Sequence, residues 1–219
     1  MREETEMSSG VPQAHSAVEE WLERLERGTG EGADDALVGL RSSLAEAADA
    51  AGVLDLAYRT VDSPLGELLI VASPAGLVRL AFETEDRDAV LSELASTVSP
   101  RILEAPERLE RAANQLEAYF AGRLREFDVS VDLSLARGFR AAVVAHLPTI
   151  EFGRTESYAI VAAAVGNPRA VRAVGSACAT NPVPIFVPCH RVVRSDGTFG
   201  AYRGGHEAKR YLLEMEAAA

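Results

Sequence analysis

Apolar positions change their period twice along the chain. Over residues 14–27, Val18, Trp21, Leu22 and Leu25 recur every three or four residues. After breaks at Gly28, Gly30 and Gly32 the same spacing returns in Leu37, Leu40, Leu44 and Ala47. Each set shares one helix face, so a helical hairpin with buried stripes is predicted over residues 14–51. Residues 1–12 are polar and predicted to fray. From Leu56 the pattern becomes short apolar runs, 56–61, 67–72 and 76–82, parted by Ser63-Pro64 and Ser73-Pro74-Ala75-Gly76. That is a three-stranded meander. Helical spacing resumes at 87–97 and 106–120, and a last short strand fits 127–131.

The C-terminal third predicts short helices at 139–146, 157–165, 168–178 and 207–216. Gly166-Asn167-Pro168 reads as a helix stop followed by an N-cap asparagine and a first-turn proline. Two helices joined so tightly predict a helix-turn-helix. The division expected is an acidic helical extension at 1–55, a mixed domain at 56–135 and a helical domain at 136–219.

At 219 residues with 47% hydrophobic and 25% charged composition, the chain is long enough to bury a core and too apolar to be disordered. No run is long and apolar enough to span a membrane, and the first residues lack a basic, then apolar, leader pattern. A cytoplasmic location without a membrane partner is expected. Cys178 and Cys189 are too few for a disulfide framework, and the four histidines are scattered, so neither a metal nor a cofactor is expected.

The net charge of -11 argues at first against nucleic acid. It is unevenly spread: residues 151–219 carry eight Arg or Lys against six Asp or Glu, and residues 1–55 carry four against thirteen. The acidic extension reads as packing, with a protein partner as the alternative.

Within Asn181-Pro182-Val183-Pro184-Ile185-Phe186-Val187-Pro188-Cys189-His190-Arg191-Val192-Val193, prolines restrict the backbone around a cysteine beside a histidine. A thiol needs a neighbouring base, cation or helix N-terminus to react as thiolate at neutral pH. Taken alone, the dipeptide also fits a small buried cysteine. Together with Ser157-Tyr158, Gly166-Asn167-Pro168-Arg169-Ala170-Val171-Arg172-Ala173-Val174-Gly175, Gly204-Gly205 and Lys209, the stretch resembles the O6-alkylguanine-DNA alkyltransferases (methylated-DNA-protein-cysteine methyltransferases). A weaker likeness covers Asp62-Ser63-Pro64-Leu65-Gly66, Tyr119-Phe120-Ala121-Gly122 and Phe127.

The resemblance implies an α/β plus α architecture: a ribonuclease-H-like mixed domain, then a winged-helix-like helical domain with a helix-turn-helix. It implies irreversible, single-turnover transfer of an alkyl group from guanine O6 in double-stranded DNA to Cys189, by a monomer without cofactor. His190 would act as base through a water, with Glu216 orienting it. Tyr158 would crowd the phosphate and donate to the guanine, and Asn181 would tie the recognition helix to the cysteine loop. Arg172 would replace the extruded base in the stack, with the small residues Ala170, Ala173, Gly175 and Ala177 permitting close approach. Val192 and Tyr202 would line the base pocket. Arg203 departs from the family's small residue there, which puts pocket width in question. Arg191 would support the loop. A damage-binding protein without repair is the contrasting reading, which retention of Cys189, His190 and Glu216 opposes.

Overall fold

The computed structural model describes residues 31–219, with side chains described from Leu37 onward. The predicted helix at 14–27 lies outside the described residues. The chain divides into two compact units, Met1–Glu46 and Ala47–Ala219. In the first, helix α1 (Glu31–Ala50) begins and runs on past the division. Leu37, Leu40 and Leu44 are 40%, 57% and 56% exposed, and Ala45 is the buried position. The expected burial of the leucine stripe is therefore corrected. Helical spacing fixes which residues share a face, not whether that face is covered.

The second unit opens with β1 (Leu56–Val61), β2 (Leu68–Ser73) and β3 (Gly76–Phe82), the predicted meander. A fourth strand, β4 (Ile102–Glu104), was not foreseen; it pairs parallel with β1 and completes the order β3-β2-β1-β4. Leu69 and Val71 of β2 face Val90 and Leu94 of helix α2 (Arg87–Thr97) in one apolar core with Leu56, Val78 and Ala81. Leu68 and Ile70, on the alternate face, are equally buried. A strand covered on both sides reads as an unbroken apolar run, which is why Leu68-Leu69-Ile70-Val71 lacks polar alternation. Each fully buried Leu or Val contributes about 1.5–3 kcal/mol.

Pro106–Leu109 forms a 3-10 turn leading into α3 (Glu110–Phe120). The strand predicted at 127–131 is not formed. Only Val131 bridges, to Leu77, through bonds from Leu77 N to Ser130 O and Asp132 N to Leu77 O.

Helices α4 (Phe139–His146), α5 (Tyr158–Ala164) and α6 (Val171–Ala179) pack through Val143, Val144, Val161, Ala162, Val174, Ala177 and Cys178. Ser157 caps α5 by accepting from Ile160 N at 3.2 Å. The sequence placed an N-cap at Asn167 and a helix start at Pro168; α6 instead starts at Val171, with no side-chain cap. Residues 167–170 form a turn closed by the Ala170 N to Asn167 O bond at 2.9 Å, and that turn takes up the proline. Strand β5 (Glu156–Ser157) pairs parallel with β6 (Val192–Val193), joining the start of α5 to the segment beyond Cys189. Helix α7 (Gly205–Ala218) turns Ala208, Leu212 and Glu216 inward, four residues apart, with Lys209 beside them.

The mixed and helical parts meet along the cysteine loop. Leu80 N on β3 donates to Pro182 O at 2.8 Å, and the rings of Phe127 and Phe186 lie 4.5 Å apart. Among the described residues, no helix is long and apolar enough to cross a membrane.

Candidate active site

Residues 181–191 wrap into a tight loop that ends in a 3-10 turn, Cys189–Arg191. Asn181 holds it from inside: Nδ2 donates to Val187 O at 2.8 Å, and Oδ1 accepts from Val183 N at 3.1 Å. Val187 N returns to Val183 O at 3.0 Å. This reversal forces Ile185 to φ +73°. A left-handed β-branched residue costs about 1–3 kcal/mol and persists only where packing dictates it, and Ile185 is buried. The prolines suggested stiffness; the strained residue lay among them without a local signal.

Cys189 and His190 are fully buried. Burial pushes the Cys189 thiol up to about 11, although the Asn181 side chain and the Lys209 and Arg203 charges work against it. The resting sulfur is a protonated thiol. Burial also depresses His190, opposed by Glu216, so the imidazole is neutral near pH 7. His190 Nε2 lies 2.9 Å from Glu216 Oε1, and its Nδ1 is buried without a hydrogen-bond partner among the described residues. A neutral imidazole that donates through Nε2 has a bare Nδ1, which makes that atom the acceptor for a proton from a neighbouring group.

Glu216 collects five donors. Tyr119 Oη lies 2.6 Å and His190 Nε2 2.9 Å from Oε1, Arg191 donates from Nε and Nη2 at 2.9 Å each, and Gly153 N reaches Oε2 at 3.0 Å. Burial would raise this carboxyl, but the bonds from His190, Arg191 and Tyr119 outweigh it and hold it well below the usual range. Arg191 is buried and donates from Nη1 to Ile150 O at 2.6 Å, so it braces the carboxylate and not the thiol. The solvated helix-end acid that α7 alone would suggest is thus a buried, fully engaged anion.

Two groups at the site had no assigned role in the sequence. Tyr119, from α3 of the mixed domain, reaches the Glu216 carboxylate, and the Tyr119-Phe120-Ala121-Gly122 stretch was its only trace. Lys209 is the chain's one lysine and is fully buried. Its Nζ donates to Val192 O at 2.5 Å and lies 5.9 Å from the ring centres of Tyr158 and Phe199. Its uniqueness was a signal in plain view.

A groove of about 480 Å³ opens beside this core, lined by Tyr158, Val171, Arg172, Gly175, Arg194 and Gly200 among others. Tyr158 is buried, and its hydroxyl lies against Gly200 so closely that a Cβ there would sit 2.2 Å away. Only glycine fits. Burial raises the Tyr158 phenol to about 12, so it keeps its proton at neutral pH.

Arg172 and Ala173 are exposed on α6, and Ala170 and Gly175 are partly so. Ala177 faces the core and is corrected from the list of residues that open this surface. Val192 and Tyr202 are buried next to the cysteine turn and do not line the groove. Arg203 points to the mixed domain, its Nη1 2.8 Å from Glu85 Oε2. Among the described residues, no group of three His, Cys, Asp or Glu side chains is placed to hold a metal ion.

Two family models match this chain: the 6-O-methylguanine DNA methyltransferase ribonuclease-like domain over residues 56–133, and the DNA binding domain of the same proteins over residues 138–218. The chain belongs to the 6-O-methylguanine DNA methyltransferase family. Curated relatives within that family include the methylated-DNA--protein-cysteine methyltransferase of Mycobacterium tuberculosis, 40% identical over 73% of this chain and 91% of the relative. The constitutive enzyme of Bacillus subtilis is 38% identical over 73% of this chain and 94% of its own. The crystal structure of the Mycobacterium tuberculosis O6-methylguanine methyltransferase is similar at a TM-score of 0.64 and 39% identity, covering 74% of this chain and 93% of that one. The structure of Mycobacterium tuberculosis OGT in complex with DNA is similar at a TM-score of 0.63 and 40% identity, with the same coverage. The family accounts for the mixed and helical domains of this methyltransferase, and residues 1–55 lie outside both matched segments.

Proposed function

We propose that this protein repairs double-stranded DNA by moving an alkyl group from guanine O6 to Cys189, once per molecule. The observation that carries the reading is the chain of contacts from the mixed domain to the cysteine turn: Tyr119, Glu216, then His190, the residue after Cys189, whose Nδ1 has no partner among the described residues.

In the proposed reaction the thiol proton passes to His190 Nδ1, through a bridging water. The sulfur attacks the alkyl carbon in line, and the C–O6 bond breaks as the S–C bond forms. Guanine leaves neutral by taking a proton on its ring, for which the Tyr158 phenol is suited because it stays protonated near pH 7. Glu216 stabilises the imidazolium that forms and is too acidic to take its proton. The thioether has no basic leaving group, so nothing regenerates the thiol.

A lesion inside the duplex must be turned out of the stack to reach a buried sulfur, at about a few kcal/mol. Helices α5 and α6 serve as a helix-turn-helix, with α6 lying against the minor groove. Arg172, exposed on the first turn of α6, fills the gap left by the base, while Ala170, Ala173 and Gly175 permit close approach. The extruded base enters by the groove beside Tyr158 and comes to lie against Val192, with Tyr202 as the fixed far wall of its pocket. Such contacts follow backbone and shape, which suits damage at any sequence.

The test is intact mass followed by peptide mapping after incubation with a duplex carrying one O6-methylguanine. One methyl group per protein, on the peptide containing Cys189, is expected. A methyl on Cys178, or an unmodified protein with the lesion still in the DNA, overturns the proposal.

A further inference from the structure

Arg203 stands where the family resemblance calls for a small side chain, and its guanidinium is turned to the mixed domain. Its Nη1 pairs with Glu85 Oε2 at 2.8 Å. Glu85 sits in the turn between β3 and α2 and is fixed there independently of Arg203. Its Oε1 accepts from Phe82 N at 3.0 Å, its Oε2 also pairs with buried Arg79, and the adjacent Asp86 caps α2 through Asp88 N and Ala89 N.

The same turn grips the neighbours of Arg203 by packing. The rings of Phe82 and Tyr202 meet edge-on, 5.6 Å between centres. Gly204 lies so near the Phe82 ring that a Cβ would come within 2.6 Å. On its other side Tyr202 meets the His190 imidazole edge-on at 6.4 Å. The Tyr202 wall is thus held by an aromatic platform at residues 202 and 204 and by an ion pair at residue 203. Arg203 Nε is buried without a partner among the described residues, so the Nη1 pair fixes the direction of this side chain.

We infer that the Arg203–Glu85 pair is a specificity-determining latch: by fastening the Tyr202 wall against His190 it limits the O6-alkyl group that can reach Cys189, favouring methyl over bulky aromatic substituents. This rests on the alkyl transfer proposed above. The side chain does not narrow the pocket by filling it. It keeps the wall from receding, so a partly buried ion pair between two domains becomes a size filter for the reaction.

The experiment compares single-turnover rates on duplexes bearing O6-methylguanine and O6-benzylguanine for the wild type, Arg203→Gln, Glu85→Gln, the double variant and Arg203→Lys. The benzyl-to-methyl rate ratio is expected to rise about tenfold in each glutamine variant. It should rise no further in the double variant, because each change already removes the Arg203–Glu85 pair they share. Arg203→Lys, which keeps the charge, should stay within about threefold of wild type. Arg203→Gln leaves Glu85 paired with Arg79, so it tests the latch even if Glu85→Gln proves unstable. A ratio in Arg203→Gln within about twofold of wild type overturns the latch. Methyl transfer with an unchanged ratio defeats the latch alone, whereas no methyl transfer by the wild type defeats the proposed reaction and the latch with it.

Discussion

Replacing Tyr119 by Phe removes one hydroxyl from the centre of the protein and leaves its ring in place. That ring is hemmed by Phe120, Phe127 and Phe152 at 5.5, 5.0 and 6.1 Å between centres, so phenylalanine can occupy the same space. What is lost is the 2.6 Å bond to Glu216 Oε1. A hydrogen bond to a charged group contributes about 1.5–3 kcal/mol. Glu216 keeps four of its five donors and is not orphaned, so the cost belongs near the low end, ~1–2 kcal/mol. For a folded unit of this size that lowers Tm by about 2–8 °C. His190 keeps its partner, so methyl transfer should slow by less than about tenfold. The assay pairs a thermal melt with single-turnover transfer of labelled methyl. An unchanged melt and rate would show that the hydroxyl does not support the carboxylate. A loss as deep as that of removing the carboxylate itself would show that the donors do not share the load.

Glu216→Gln should be far harsher, since it leaves the Arg191 guanidinium buried without its anion: about 3–5 kcal/mol of stability and ~10²–10⁴-fold in transfer rate, read by denaturant melts and by transfer in the surviving folded fraction. Arg172→Ala should weaken capture of the lesion in duplex DNA while leaving transfer from free O6-methylguanine within about twofold; equal losses on both substrates would remove the stacking role. Stability should fall on acidification. His190 is depressed in the fold, so stability declines as the pH drops below about 6.5; Glu216 is also depressed, so its contribution is present above about pH 4.3 and is lost as the pH falls further toward its folded value. Urea midpoints against pH would show this, and a profile flat from pH 7 to about 3 would refute both shifts.

Much of the fold was legible because its elements carry local signals. The β2 run Leu68-Leu69-Ile70-Val71 lies between turn signals and reads as a strand, and apolar spacing marks Arg87–Thr97 as a helix. The elements that failed lacked such signals. Strand β4 is three residues long and exists because β1 offers an edge to it. The turn at 167–170 displaced the start of α6 because Asn167 met an i to i+3 bond instead of a cap. At the site, Cys189, His190 and Glu216 are named through motif likeness, while burial of Cys189 stood only as the alternative to a reactive thiol and the structure combines the two features. Cys189 is fully buried, and no spacing along the sequence reports that. Tyr119 and Glu85 act across the domain boundary, 97 and 118 residues from the partners they hold. A window of neighbours cannot reveal contacts of that span, so in the sequence Arg203 is only an unusual residue, and its partner Glu85 lies 118 residues away.

Alkyl transfer depends on a buried thiol whose proton is taken by His190 as the alkyl group arrives, and the pH dependence of single-turnover methyl transfer tests that most directly. If His190 takes the proton, the rate should climb below about pH 6.5 as the imidazole becomes neutral, then stay level to about pH 10. If free thiolate were the reactive species without that base, a thiol held near 11 would make the rate climb about tenfold per pH unit across the whole range from about pH 7 to 10, and such a profile would contradict the mechanism.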